Sequence, residues 1–170
     1  ITIDLSGGTL SILSSGLVTI TGTGTHLVSI SGNNASRVFY VANKANLTLN
    51  NIVVTQGNSI AQSDGGTGGG LFGSSHSNVS IINCRFQNNQ AVSGGAIYFA
   101  LGAGSLSISN TTLSSNHAEG YGGGLFTDDD NVELSSVVFL QNSSSDRGGA
   151  FYSAGPGLKS ILGSRFSNNT

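Results

Sequence analysis

The chain reads as an all-β protein of one kind, a right-handed parallel β-helix (solenoid) of about six coils of ~27 residues. Three observations carry that reading: two short motifs recur in step, apolar and polar residues alternate at strand length, and the composition is poor in charge. The first motif is a glycine pair followed by a small residue, an aliphatic or aromatic residue and an aromatic one. It occurs at Gly68-Gly69-Gly70-Leu71-Phe72, Gly94-Gly95-Ala96-Ile97-Tyr98, Gly122-Gly123-Gly124-Leu125-Phe126 and Gly148-Gly149-Ala150-Phe151-Tyr152. The second is Phe-x-x-Asn, at Phe86 to Asn89, Leu113 to Asn116, Phe139 to Asn142 and Phe166 to Asn169. The two alternate along the chain with one common period, which chance does not produce.

One period contains three short strands and no helical periodicity. Within the unit opened by Gly94, the segment Ala96 to Phe99 is the first strand. Leu106 and Ile108 alternate with serines in the second, and Thr111 and Leu113 share one face of the third. Between the second and third the side-chain parity flips. The same flip relates Val79 and Ile81 to Cys84 and Phe86, Leu47 and Leu49 to Ile52 and Val54, and Val132 and Leu134 to Val137 and Phe139. Stacking like on like buries an apolar column that no single coil covers, with Val54, Phe86, Leu113, Phe139 and Phe166 as the expected core stack. The longer step between the coils of Val54 and Phe86 follows from an insertion, Gly57 to Gly66.

A parity flip requires a sharp corner. Asn51, Asn83, Asn110 and then Ser136 stand there, and asparagine tolerates the left-handed backbone such a corner needs. Asn51, Asn83 and Asn110 are expected to join their amides in one ladder. Asn89, Asn116, Asn142 and Asn169 are expected to form another. The paired glycines mark a third region, where a Cβ would crowd or φ is positive. Of the two apolar columns on the glycine-motif strand, Leu71 to Phe151 and Phe72 to Tyr152, alternation alone does not decide which faces inward. If the aromatic column faces outward, it is expected to be a strip suited to stacking sugars.

The whole of 1–170 is expected to be one β-helical segment of a longer repeat protein, looser over 1–67 and regular over 68–170. In the looser part, Leu10 to Leu13, Leu17 to Ile20, Leu27 to Ile30 and Val38 to Val41 still alternate at strand length. Near the C-terminus, Lys159 falls where an apolar residue is expected, which leaves the register of Leu158 to Leu162 open. Further coils or subunits stacked end to end are expected to cover at least one end, because uncapped coils expose unpaired strand edges.

Charged residues make up 8% of the chain and the net charge is −2, which supplies no electrostatic footprint for nucleic acid. No stretch approaches the ~20 apolar residues of a spanning helix, so no direct membrane insertion is expected of this segment. Cys84 has no second cysteine to pair with and is expected to be a buried small residue.

Catalytic residues, metals and cofactors are not expected. Asp128, Asp129 and Asp130 are the only clustered acids, and consecutive strand residues point to opposite faces. A solvated turn is the preferred reading there, ahead of a weak Ca²⁺ site through Asp128, Asp130 and Glu133. His26, His76 and His117 are far apart and read as surface turns. Gly65 to Gly70 lacks the Lys-Ser or Lys-Thr of a phosphate loop. The threonines at 19, 21, 23 and 25 do not recur coil after coil, as an ice-binding face requires.

The two motifs in register resemble the repeats of the chlamydial polymorphic outer-membrane proteins, well over 68–170 and more loosely before it. That resemblance implies an exported, autotransporter-type passenger: a β-helical surface rod used in adhesion. An extracellular or cell-surface, non-enzymatic, structural or adhesive protein is therefore expected, with glycans or receptors of a neighbouring cell as partners. The alternative is a polysaccharide-active enzyme or carbohydrate-binding module on the same scaffold. Six Asn-x-Ser/Thr sequons occur. Asn34, Asn46 and Asn78 are the expected glycosylation sites, on turns with free side chains, whereas Asn110 and Asn142 are expected to be held in bonds between coils.

Overall fold

A computed structural model of the chain describes residues 1–5, 8–13, 15–23, 28–102, 104–128, 131–155 and 159–170. The described secondary structure is all strand, and its pairings are parallel and join each coil to the next. The result is a β-solenoid of about six turns with a repeat of about 27 residues.

Every regular coil passes the same stations. From Asn78 the chain forms a strand, Asn78–Ile82, turns at Asn83 and forms a second, Arg85–Gln87. It turns again at Asn88 and Asn89, pairs briefly at Gln90–Ala91, passes the glycine pair and forms a third strand, Ile97–Phe99. Stacked equivalents build three faces. Face one holds seven strands, including Ile52–Thr55, Arg85–Gln87, Thr112–Ser114, Val138–Leu140 and Arg165–Ser167. Face two holds six, including Phe39–Val41, Leu71–Gly73, Ile97–Phe99, Leu125–Thr127 and Phe151–Ser153. Face three holds six: Leu17–Thr21, Asn46–Asn50, Asn78–Ile82, Ser105–Ser109, Val132–Ser135 and Lys159–Leu162.

The core follows from alternation on each face. On face one, Ile3, Ile30, Val54, Phe86, Leu113, Phe139 and Phe166 are successive register partners. Val54, Phe86, Leu113 and Phe139 are fully buried, whereas Phe166 in the last coil is 45% exposed, with only Phe139 stacked on it. Across the corner, Leu47, Leu49, Val79, Ile81, Leu106, Ile108, Val132 and Leu134 point inward from face three. From face two, Phe39, Leu71, Ile97 and Leu125 complete the interior. Each such side chain contributes roughly 1.5–3 kcal/mol through burial. The aliphatic column of face two is thus the inward one, and the aromatic column faces out.

The glycine pair has two different reasons. Gly94 adopts φ +66, a left-handed conformation that a side chain strains. A Cβ on Gly95 would lie 2.4 Å from the carbonyl oxygen of Gly123 and 2.5 Å from that of His117, so coil-to-coil packing excludes it.

The earlier coils keep the scheme with different turn lengths. Strands Leu10–Ile12, Leu17–Thr21 and Val28–Ser31 stack beneath Phe39–Val41, Asn46–Asn50 and Ile52–Thr55. Leu27 and Leu158 lie outside the described residues. Lys159 stands opposite Val132, at an inward position, and its ammonium donates to the Gly155 carbonyl at 2.8 Å.

Sequence reasoning passed over Arg37, which fastens the insertion to the rod. Its guanidinium is buried, donates to the carbonyls of Thr67 and Gly68, and pairs with Asp64 of the insertion at 2.7 Å. Burial lowers its pKa, and the Asp64 carboxylate opposes that shift.

Candidate functional site

The two asparagine corners differ. At the Phe-x-x-Asn corner, Asn89 donates from both its backbone and its amide nitrogen to the Asn116 side-chain oxygen, each at 3.0 Å. Asn116 repeats this toward Asn142, and Asn142 toward Asn169. Each amide also donates to a carbonyl: Asn89 to Val54, Asn116 to Phe86, Asn142 to Leu113 and Asn169 to Phe139. Asn89, Asn116 and Asn142 are buried with both side-chain oxygen and nitrogen hydrogen-bonded, so this ladder is internal architecture.

At the parity-flip corner, Asn51, Asn83, Asn110 and Ser136 all have positive φ, between 48° and 55°. The expected amide ladder through Asn51, Asn83 and Asn110 is absent. Asn51 donates to the carbonyl of Gly22 at 3.0 Å, while the amides of Asn83 and Asn110 are exposed without a bond. The backbone itself joins these coils, Asn83 N–H to Ser109 and Asn110 N–H to Ser135. Asparagine suits this corner through its tolerance of the left-handed conformation, and at Asn83 and Asn110 the side chain is left in solvent.

That difference rearranges the sequons. Asn34 is exposed and only its backbone is used: its N–H donates to the Gln56 carbonyl at 2.8 Å and its carbonyl accepts from the Asn58 amide at 3.1 Å. Asn46 and Asn78 are not the free turn residues expected. They are register partners at the start of face three, where Asn78 donates to the Asn46 side-chain oxygen at 2.8 Å and accepts from the Ser105 hydroxyl at 3.0 Å. Asn46 in turn donates to the Ser15 carbonyl at 2.6 Å. Asn110 is the reverse case, expected to be held and found free, while Asn142 is enclosed.

Outward on face two, Tyr40, Phe72, Tyr98, Phe126 and Tyr152 form a continuous offset stack. Their centroids are 4.6–5.6 Å apart and successive planes lie within 18° of each other. Arg37 lies 5.9 Å from the Tyr40 centroid and 5.1 Å from that of Phe72. Tyr121 leans on Tyr152 at the other end. Sugar stacking requires an open ring face, and each of Phe72, Tyr98 and Phe126 has a ring on both faces. The column is therefore a brace along the rod, each pair contributing about 0.5–1.5 kcal/mol beyond burial.

Asp128 accepts the Tyr98 hydroxyl at 2.8 Å, and burial together with that carboxylate pushes the phenol pKa up. At the far end Asp146 raises the pKa of Tyr121, and Tyr152 raises that of Arg147.

Acidic residues do not stack on one another along the strands. Glu133 lies between Ser107 and Ser160, and Asp4 opposite Ser31. Asp129 and Asp130, and with them the weighed Ca²⁺ site, lie outside the described residues, as does His26. Among the described residues no three of His, Cys, Asp and Glu gather as metal ligands. His117 shares a 3.0 Å hydrogen bond with Ser143, and His76 occupies a left-handed turn. Cys84 is buried beside the parity-flip corner, where desolvation raises its pKa.

Residues 83–100 and 136–154 match the Chlamydia polymorphic membrane protein repeat. Both matched stretches begin at a left-handed corner, Asn83 or Ser136, and run through the Phe-x-x-Asn ladder and the glycine pair to the strand of face two. These coils fit a polymorphic outer-membrane protein, autotransporter-passenger type of repeat. Such a repeat points to a surface-exposed outer-membrane protein. Comparison with curated proteins and with solved structures gives no match.

Proposed function

We propose that this chain is an extracellular, non-enzymatic β-helical rod with a structural or adhesive role at the cell surface. The observation that carries the reading is the repeat match falling in step with the coils, each match covering the same corner, ladder and glycine pair. The faces support it. They are poor in charge, and the carboxylates on the described strands sit among serines rather than in facing pairs, whereas glycoside hydrolysis needs two carboxyl groups about 5–10 Å apart.

Beads coated with the whole chain test the reading. They are expected to be retained on cultured epithelial cells several-fold above beads carrying Phe86→Asp/Leu113→Asp, a variant whose core cannot close. Equal retention of the two coatings removes the adhesive role. Release of reducing ends from a panel of polysaccharides shows an enzyme instead.

A further inference from the structure

Face three carries a feature that the aromatic column lacks: an open trough running along the rod. Its strands alternate, so two ranks of side chains point outward on either side of a backbone floor. One rank is Asn46, Asn78 and Ser105; the other is Thr48, Ser80 and Ser107. A cavity of about 310 Å³ lies between them over the lower coils. A second, of about 800 Å³, continues over the upper coils between Asn131, Glu133 and Ser160. The two share Ser105 and Ser107, so they are one groove parallel to the axis.

The walls differ in a way that matters for binding. The first is wired in place: the Asn46 amide donates to Ser15, Asn78 to Asn46, the Ser105 hydroxyl to Asn78, and the Asn131 amide to Gly104. Its side chains are held before any ligand arrives, which lowers the ordering cost of binding. On the second wall the hydroxyls of Thr48, Ser80 and Ser107 are half-buried and make no hydrogen bond within the protein. Each offers one donor and two acceptor sites, repeated on successive coils roughly 4.8 Å apart until Glu133 takes the next position.

Three facts select the occupant. From Leu17 to Ser107 the trough is lined without a charged side chain, so neither a polyanion nor a basic peptide is favoured. The floor strands are paired on both sides, so no backbone group is open to strand addition. The repeat of one hydroxyl per coil matches the advance of an extended β-linked pyranose chain by about one sugar per coil. We infer that the trough on face three binds a neutral, linear, β-linked glycan lying along the rod, with Thr48, Ser80 and Ser107 as the recognising hydroxyls. The biological sense of this inference rests on the adhesive reading and names its ligand. Aromatic platforms are absent from the trough lining, so affinity accumulates from many weak hydrogen bonds and grows with chain length.

Oligomers of β-1,4-linked glucose and of β-1,4-linked N-acetylglucosamine, from two to eight units, are titrated against the whole chain. Affinity for at least one series is expected to rise with each added unit up to about four, the coils of Thr19, Thr48, Ser80 and Ser107, before Glu133 and Lys159 bring charge into the lining. It is expected to fall at least about tenfold, equivalent to about 1.4 kcal/mol, in Thr48→Val/Ser80→Ala/Ser107→Ala. These changes leave the interior untouched, so an unchanged thermal midpoint certifies the fold of the variant. No binding by any oligomer, or binding that the triple variant retains, overturns the inference. If beads carrying the whole chain adhere to cells but its oligomer binding is absent or survives in the triple variant, the adhesive reading stands and the glycan trough falls. If neither chain adheres but glycan binding follows the trough, the reverse holds.

Discussion

The asparagines separate two roles that look alike in the sequence. Asn116 has its side-chain oxygen and nitrogen engaged on both neighbouring coils, whereas Asn110 has only its backbone conformation to offer. Asn116→Ala leaves the Asn89 N–H buried without a partner, at about 1–3 kcal/mol, and removes one of the two bonds to the Phe86 carbonyl, which keeps its strand-ladder bond. It is expected to lower stability by about 2–4 kcal/mol in urea unfolding. Asn110→Gly, which keeps the left-handed backbone without a Cβ, is expected to be neutral to slightly stabilising. A large loss at Asn110 places a side-chain ladder where exposed amides are found. Two groups also set the alkaline limit. Burial holds the Cys84 thiol and the Tyr98 phenol protonated above their ordinary pKa values of 9.0 and 10.0. Stability from both is complete below those values and is lost as pH rises through and beyond them. The urea midpoint is expected to decline between about pH 8 and 11, with a shallower decline above about pH 10 in Tyr98→Phe. A midpoint that is flat over that range contradicts the burial of both groups.

Among the elements, strands whose inward positions repeat at a constant step were legible, because apolar residues recur at register partners such as Val79, Leu106 and Val132. What alternation could not decide was the orientation of face two, where Leu71 and Phe72 are both apolar. Packing decides it. The column of Phe39, Leu71, Ile97 and Leu125 fills the interior, while the rings of the other column stack on one another outside and tolerate partial exposure. The insertion clamp was hidden for another reason: a lone arginine in a charge-poor chain carries no periodic signal, and its partner Asp64 is 27 residues away. Arg37→Met strips the donor from two carbonyls and leaves Asp64 unpaired. We expect a loss of about 2–3 kcal/mol and faster proteolytic cleavage within Gly57 to Gly66. Asp64→Asn is expected to cost about 1 kcal/mol or less, since that carboxylate is about one-third exposed and solvent screens the pair. Equal effects of the two substitutions assign the stability to the ion pair rather than to the carbonyl bonds.

For the whole molecule, one axial register determines the core columns, the asparagine ladder, the aromatic brace and the trough together. That register was readable from the paired motifs, while the sites on the outer faces were not, because hydroxyl and amide residues also fill every turn. The register itself is open to a covalent test. Ser80 and Ser107 point outward from adjacent coils as direct partners, and Glu133 stands one coil further on. Parallel neighbours lie roughly 4.8 Å apart, within disulfide reach, and next-nearest neighbours at about twice that are beyond it. In a Cys84→Ser background, Ser80→Cys with Ser107→Cys is expected to oxidise to an intramolecular disulfide in nearly all molecules, read by mass spectrometry of the non-reduced peptides. Ser80→Cys with Glu133→Cys is expected to remain reduced under the same oxidant. A first pair that fails to close, or a second that closes equally well, contradicts the stacked 27-residue register.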